Sequence, residues 1–363
     1  MDWKNFRLST RLNLKAPVVE QAYELITVID SVKNSWQITK KLLPQTIERL
    51  THSVIVTSSG ASNRIEGNRL TDKEVEALYK NLRIKKFKNR DEQEIAGYLE
   101  MLKLIFHDYA DIPISESSIL HINNQMLLYS EKDLYHRGRY KTSPNRVEAK
   151  DQKGDIVGII FDPTPPYLVK KEVQELVDWY HWSLSNKFKH PLIVVANFIF
   201  EYLAIHPFQD GNGRTSRLIT NLMLLQQGYD FASIVSHEKI IETNKLDYYL
   251  ALNKTQSSWK SNKEDISPWL IFFLNVLKTQ ANEAHHILEG ENTEYLLSRK
   301  QLLLWEWALG LTDKEFSRKD AIETLGFPPR TVEAIIKKLL DMRYLQRLGE
   351  GKATRYKVKV LSI

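Results

Sequence analysis

Residues 191 to 205, PLIVVANFIFEYLAI, form the most apolar run of the chain, broken by Asn197 and Glu201. A run of fifteen residues with two such groups is too short and too polar to span a bilayer, so it reads as a buried core helix. It has to stop near His206, because Pro207 disfavours helical geometry in the residue before it. Apolar residues also recur at i, i+3, i+4 spacing through 18–32, 73–82, 91–107, 116–129, 168–184, 192–205, 214–226, 244–252 and 266–288. That periodicity predicts a mainly α chain. One interruption looks like β structure: VEAKDQKGDIVGIIF at 147–161 places two short runs around the turn-rich Asp151, Gln152, Lys153 and Gly154, and DPTPP then ends the second run.

A chain of 363 residues exceeds what one hydrophobic core usually supports, which predicts a large domain followed by a smaller module. The absence of cysteine excludes a disulfide framework, a thiolate metal site and a cysteine nucleophile. The N-terminal stretch MDWKNFRLSTRLNL has no apolar core of a secretory signal, so a cytoplasmic location without membrane attachment is expected. The net charge of +6 is unevenly placed: residues 295–363 hold fourteen Lys and Arg against eight Asp and Glu, and the remainder is balanced.

That basic tail has its own pattern. RKQLLLWEWAL reads as a helix, SRKDAIETLG as a helix opened by Ser317 with Asp320 three residues on and closed by Gly326, and RTVEAIIKKLLDM as another. RYLQRLGEGKATRYKVKV then supplies two strand-like runs. Three helices and a hairpin predict a small winged-helix (α+β) domain, with 330–342 as its recognition helix and DNA or a protein as its partner.

HPFQDGNGRTSR at 206–217 carries the chemistry. His206 falls at the end of one helix, and Gly211, Asn212 and Gly213 precede another that runs to about Gly228. Backbone amides in such a turn form an anion nest on a helix N-terminus, suited to phosphate oxygens. Arg214 and Arg217 lie three apart in the first turn and share a face. As cations they oppose the helix dipole there, and a bound polyanion would reverse that penalty. Asp210 is a hard oxygen ligand able to hold Mg²⁺ beside phosphates. No GxxxxGK(S/T), GxGxxG or HExxH motif occurs.

The same twelve residues resemble the signature of the Fic family, HPFx(D/E)GNGRxxR, at every defined position. The resemblance implies an all-helical Fic domain with a β-hairpin flap that transfers AMP from ATP to a Ser, Thr or Tyr hydroxyl of a target protein. It makes His206 the general base and Asp210 the Mg²⁺ ligand. It assigns nucleotide contacts to Gly211, Asn212, Gly213, Arg214, Thr215, Ser216 and Arg217. A base near neutrality suits a hydroxyl attacking phosphorus, and histidine has the right ordinary pKa. On this resemblance residues 1–110 form an N-terminal helical region with an inhibitory helix around 60–67, residues 111–290 the Fic core, and residues 291–363 the winged-helix domain.

Three flanking segments extend the resemblance. The hairpin 147–161 is similar to the flap that clamps the target segment, with a hairpin that merely covers the core as the alternative. NKLDYYLAL at 244–252 is similar to the segment closing over adenine and nominates Asn244 and Tyr249, with a structural role for the tyrosine pair as the alternative. SNRIEGN at 62–68 matches the family's inhibitory pattern and nominates Ser62, Glu66 and Gly67. A bidentate Glu66–Arg217 pair would occupy the fork that the γ-phosphate needs. Two other functions are compatible: a DNA-binding regulator whose Fic domain senses nucleotide, and a Fic enzyme that removes AMP. An intact His206 separates enzyme from sensor, since a sensor needs the nest but no base. A homodimer is a further arrangement the sequence allows.

Overall fold

The computed structural model describes residues 2–38, 44–84, 86–145, 147–150, 156–295, 298–341, 344–349, 351 and 354–358. The chain separates into two compact units, Met1–His286 and Ile287–Ile363.

The first unit is built from helices α1 (Arg7–Thr10), α2 (Ala16–Ile38), α3 (Pro44–Ile65), α4 (Asp72–Asn81), α5 (Arg90–Asp108) and α6 (Glu116–Met126). A hairpin of β1 (Val147–Lys150) and β2 (Ile156–Phe161) follows, then α7 (Pro166–Ser185), α8 (Pro191–Ile205), α9 (Asn212–Gln226), α10 (His237–Thr243), α11 (Lys245–Gln256) and, as far as His286, α12 (Ser267–Tyr295). The hairpin is antiparallel with Val147 opposite Phe161, and the expected turn residues Asp151 to Gly154 lie outside the described residues. Among the described residues no helix is long and apolar enough to cross a membrane.

Helix α8 is the apolar run, and every side chain from Leu192 to Ile205 is buried. It packs between α7 and α9. Its two polar residues are met by the N-terminal segment. Arg11 Nε donates to Asn197 Oδ1 at 2.5 Å, Arg11 Nη1 reaches Glu201 Oε2 at 2.5 Å, and Asn197 Nδ2 donates to Leu8 O at 2.9 Å. Arg7 pairs with Glu201 as well and with Glu264 at 2.9 Å. Burial alone would raise the Glu201 carboxyl, but Arg11 and Arg7 outweigh it and pull the pKa down to about 2. A helix that would otherwise bury two unsatisfied groups is thereby tied to the start of the chain.

Two helices lack a clear apolar period in the sequence. Most of α3 reads as polar, with TSSGAS at 57–62 in its middle, yet Ser58, Ser59 and Ser62 are fully buried. Small side chains let α3 pack closely on α5 and α10, and tertiary contact overrides weak helix propensity. The helix carrying the inhibitory pattern thus begins at Pro44, well before residue 60. Helix α10 is short and capped by Ser236, whose hydroxyl accepts the Lys239 N–H at 3.0 Å.

The second unit contains α13 (Arg299–Leu309), β3 (Glu315–Phe316), α14 (Arg318–Leu325), α15 (Pro329–Asp341), β4 (Leu345–Leu348) and β5 (Arg355–Val358). Its sheet is antiparallel in the order β3-β5-β4. Residues Met342, Arg343, Glu350, Lys352, Ala353, Lys359 and Val360 of the expected helix end and hairpin lie outside the described residues. β3 is two residues long, too short for any alternation to show in the sequence. α14 opens on the Ser317–Asp320 capping box and closes on Gly326 at φ 65°. Val332, Ile335, Ile336 and Leu339 bury one face of α15, while Arg330, Glu333, Lys337 and Lys338 are exposed on the other.

Replacing Arg11 by alanine leaves the buried Asn197 Oδ1 without its donor and Glu201 with Arg7 as its one arginine partner, and a loss of about 2–4 kcal/mol is expected in denaturant unfolding. An unchanged unfolding midpoint would contradict the role of this network.

Candidate active site

The loop between α8 and α9 is built by its own residues. His206 ends α8 in the left-handed region, φ 52° and ψ 62°, and its N–H donates to Tyr202 O at 3.0 Å. A non-glycine residue holds that conformation only where its surroundings enforce it. Here Phe208 is buried, its N–H donates to Asn212 Oδ1 at 2.8 Å, and Asn212 Nδ2 donates back to Phe208 O at 2.8 Å. Gly211 has φ 82°, and a Cβ there would stand 2.5 Å from Met126 Cε. α9 can therefore start at Asn212, leaving the amides of Asn212, Gly213 and Arg214 without intrahelical partners.

At that helix end lies a carboxylate from another helix. Arg217 is buried and reaches α3: its Nε donates to Ser62 Oγ at 2.8 Å, and its Nη2 donates to Ser62 O at 2.9 Å and to Glu66 Oε1 at 2.7 Å. The expected bidentate pair is thus a single contact, because the Ser62 hydroxyl and carbonyl already engage Nε and share Nη2. Arg217 Nη1 has no hydrogen-bond partner among the described residues. Glu66 Oε1 also lies 2.2 Å from where a Cβ on Gly213 would be, so a side chain there would push the carboxylate out of this position. Burial would raise the Glu66 carboxyl, but Arg217 first, then Arg214 and His206, hold it below its ordinary value, so it is ionised. Gly67, at φ 100°, ends the turn after Glu66. Arg64 fastens α3 nearby, with Nε on Glu242 Oε1 at 2.5 Å and Nη2 on Asp72 Oδ1 at 2.8 Å.

Asp210 and Arg214 form a second cluster. Arg214 is buried and committed to Glu94 Oε2 at 3.1 Å, Asp210 Oδ1 at 3.1 Å and Asn63 Oδ1 at 3.3 Å. Its guanidinium therefore braces the site from below, where the sequence suggested a free phosphate ligand. Asp210 Oδ1 also accepts the Gly211 N–H at 2.5 Å, whereas Oδ2 is engaged more loosely, by Arg90 at 3.5 Å. Against the raising effect of burial, Arg214 and the Gly211 amide keep Asp210 ionised. Among the described residues no group of three or more His, Asp or Glu could hold a metal. One carboxylate completed by phosphate oxygens and water is the usual Mg²⁺ environment, so Asp210 fits that ion only with a nucleotide present.

The remaining expected residues divide between loop building and the cleft. Asn212 spends its side chain on Phe208 and contributes its backbone only. Thr215 is buried, its N–H on Gly211 O at 2.8 Å and its hydroxyl accepting from Asn123 Nδ2 at 3.3 Å. Ser216 donates to Gly213 O at 2.7 Å. Both hydroxyls are thus occupied away from the open amides, because α9 turns them into the interior. Asn244 turns its amide nitrogen onto Ile240 O at 2.8 Å, which satisfies the end of α10 and leaves the group unavailable to a base through that atom. Tyr249 is partly exposed, with its hydroxyl 3.5 Å from Ile65 O, and its ring meets the buried Tyr248 edge-on at 5.1 Å. Asn63, Glu94, Asn123 and Lys141 were not among the expected residues. Asn123 stands 87 positions from Asp210, whose carbonyl it also meets, and no spacing links them. Lys141 alone had a positional hint, lying just before the hairpin.

His206 Nδ1 lies 3.3 Å from Leu203 O, which places the proton on Nδ1 and the lone pair on Nε2. Burial pushes the ring down, Lys141 adds to this, and the result is a pKa of about 4. That is lower than a near-neutral base, because the imidazolium would be desolvated beside an ammonium group.

The Fic/DOC family model matches residues 113–224, the stretch that runs from α6 through the histidine-bearing loop and most of α9. The chain is 28% identical over 216 residues to the protein adenylyltransferase Fic of Nematostella vectensis, covering 58% of this chain and 44% of that protein. It is 27% identical over 171 residues to the protein adenylyltransferase fic-1 of Caenorhabditis elegans, covering 46% of this chain and 30% of that one. The chain thus spans less than half the length of either relative. In fold it is similar to a Fic family protein from Desulfovibrio desulfuricans G20, with a TM-score of 0.63 at 22% identity, over 97% of this chain and 98% of that one.

The His206 ring should titrate near pH 4 in the nucleotide-free protein. Between that value and about 6.5 the unfolded chain binds the proton and the folded one does not, so this group's contribution lowers stability as pH falls through the window. Imidazole NMR of the wild type, assigned against His206→Ala, checks it; a midpoint at or above about 6.5 would refute the depressed value.

Proposed function

The chain carries a Fic domain, and from that premise we propose that it transfers AMP from ATP to a hydroxyl of a target protein and is restrained by its own Glu66. The observation that carries this reading is the Glu66 carboxylate seated on Arg217 over Gly213, at the N-terminus of α9. An anion is favoured there by the open amides and by the arginine. The outer phosphates of ATP need the same place, and like charges exclude each other from it.

With Glu66 displaced, Arg217 gains donors for a phosphate, including the unpartnered Nη1. The neutral Nε2 of His206 accepts the proton of the incoming hydroxyl as its oxygen bonds the α-phosphorus. The bond from that phosphorus to the bridging oxygen breaks and pyrophosphate leaves. Negative charge gathers on the leaving group, where the amides of Gly213 and Arg214 and the Arg217 guanidinium stabilise it. Mg²⁺ held by Asp210 would add charge neutralisation on the phosphates. The β1–β2 hairpin offers a strand edge to an extended target segment, and Tyr249, whose hydroxyl lies 3.5 Å from the carbonyl of Ile65 next to Glu66, is the candidate for contact with the adenine.

We read the second unit as a winged helix-turn-helix that selects a protein partner. The exposed face of α15 mixes Arg330, Lys337 and Lys338 with Glu333 and Asp341, and Glu333 is tied to Arg318. Mixed signs suit a specific surface better than a phosphate backbone. No mobility shift with duplex DNA at low salt is expected from the full chain; a salt-sensitive shift would reverse this assignment.

Glu66→Gly should raise self-modification by ATP strongly, read as a mass gain of one AMP, and His206→Ala in the same background should abolish it. Equal label transfer from α-labelled ATP by the wild type and Glu66→Gly would overturn the restraint. Transfer without His206 would remove the base.

A further inference from the structure

Lys141 lies at the start of the segment leading into the hairpin, and it is 3% exposed. Its backbone N–H donates to Pro207 O at 2.9 Å, and its Nζ donates to Ile205 O at 3.3 Å. These are the carbonyls on either side of His206. The same Nζ donates to Asn145 Oδ1 at 2.7 Å, and Asn145 Nδ2 donates to Phe208 O at 2.9 Å. One short segment thus grips three carbonyls of the turn that carries the histidine. Tyr140 adds a β-bridge to Phe208, their rings 6.1 Å apart.

We propose that Lys141 is a positioning residue for His206, fastening the peptide groups on both sides of the histidine and giving its ring a fixed cationic neighbour. Two features separate this from a simple structural lysine. Burying an ammonium is costly, and among the described residues no carboxylate hydrogen-bonds to this one; its partners are a carbonyl and an amide oxygen. A neutral donor would fasten the loop at lower cost. The cation also stands at the C-terminus of α8, where the helix dipole favours it and where the catalytic imidazole begins.

The electrostatic consequence follows from the charges around each group. His206 is faced by Lys141, Glu66 and Asp210, and of these only Lys141 disfavours the imidazolium. Lys141 itself is faced by Glu172 and Lys260; burial lowers its pKa to about 8, so it remains mostly charged at neutral pH. Burial first, and Lys141 in addition, thus keep the histidine in the proton-accepting form even when Glu66 lies beside it. Fixed geometry matters as much, since a displacement of about 1 Å at a reacting group can cost on the order of 100-fold in rate.

This inference rests on His206 acting as the base, so its test uses two independent readouts on the full chain. In NMR titrations, Lys141→Met should move the His206 midpoint upward, and Lys141→Arg should hold it near the wild-type value. In the Glu66→Gly background, Lys141→Met should lower kcat for AMP transfer about tenfold or more with KM for ATP changed less than about threefold, and Lys141→Arg should restore most of it. Lys141→Gln keeps a donor without charge, which guards against misfolding of the methionine variant, and it too should raise the midpoint. An unchanged midpoint in both neutral variants overturns the proposal, as does equal loss of activity in the methionine and arginine variants. Absence of AMP transfer with Lys141 intact would instead count against the proposed reaction, while the titration would still decide the role of Lys141.

Discussion

The buried guanidinium of Arg217 is the constraint around which the site is organised. A cation in that position is tolerable only with partners, and Ser62 and Glu66 at the end of α3 accept three hydrogen bonds from it. The end of α3 and the loop between α8 and α9 are therefore one piece of structure. The same contact explains Gly213: the carboxylate stands so close that any side chain there would collide with it. A helix start bearing two arginines calls for an anion, and the chain supplies one from its own α3. On the proposed reading ATP must take over that role, so inhibition and substrate binding are two uses of one electrostatic demand.

Helix α8 carries His206 into this arrangement, and its burial has to be complete for that residue to be fixed. Asn197 and Glu201 would defeat that burial if left unpaired, and Arg7 and Arg11 satisfy them. Glu201 Oε2 also accepts the Trp259 indole N–H at 3.1 Å, and Trp259 packs edge-on against Phe161 at the end of β2, centroids 5.2 Å apart. The root of the hairpin and the helix that ends in His206 thus share a support. Its ion pairs act mainly to satisfy buried charge.

Within the twelve-residue motif, the residues serve two purposes that look alike in sequence. Phe208, Gly211, Asn212, Thr215 and Arg214 build the turn and brace it. His206, the amides at the start of α9, and Arg217 are left to face a ligand. Asp210 belongs to both groups, with one oxygen held by Arg214 and Gly211 and the other loosely engaged. A motif of this density is explained more by the difficulty of holding a left-handed histidine next to an open helix end than by the number of ligand contacts.

The sequence by itself determined the helical class, the stop of the apolar helix at His206 before Pro207, the turn at Gly211, and the gathering of imidazole, carboxylate, amides and arginines. These are local features: helical periodicity, proline and glycine stereochemistry, and residues so close along the chain that any folded loop brings them together. Only the tertiary structure decided that TSSGAS lies inside a long helix, that Ser62 reduces the Glu66–Arg217 pair to a single contact, that Arg214 is spent on Glu94 and Asp210, and that Lys141 straddles the histidine. Each of these depends on side chains far apart in the chain competing for the same donors and acceptors in a dry interior. The outcome of that competition is set by packing, which no spacing in the sequence records.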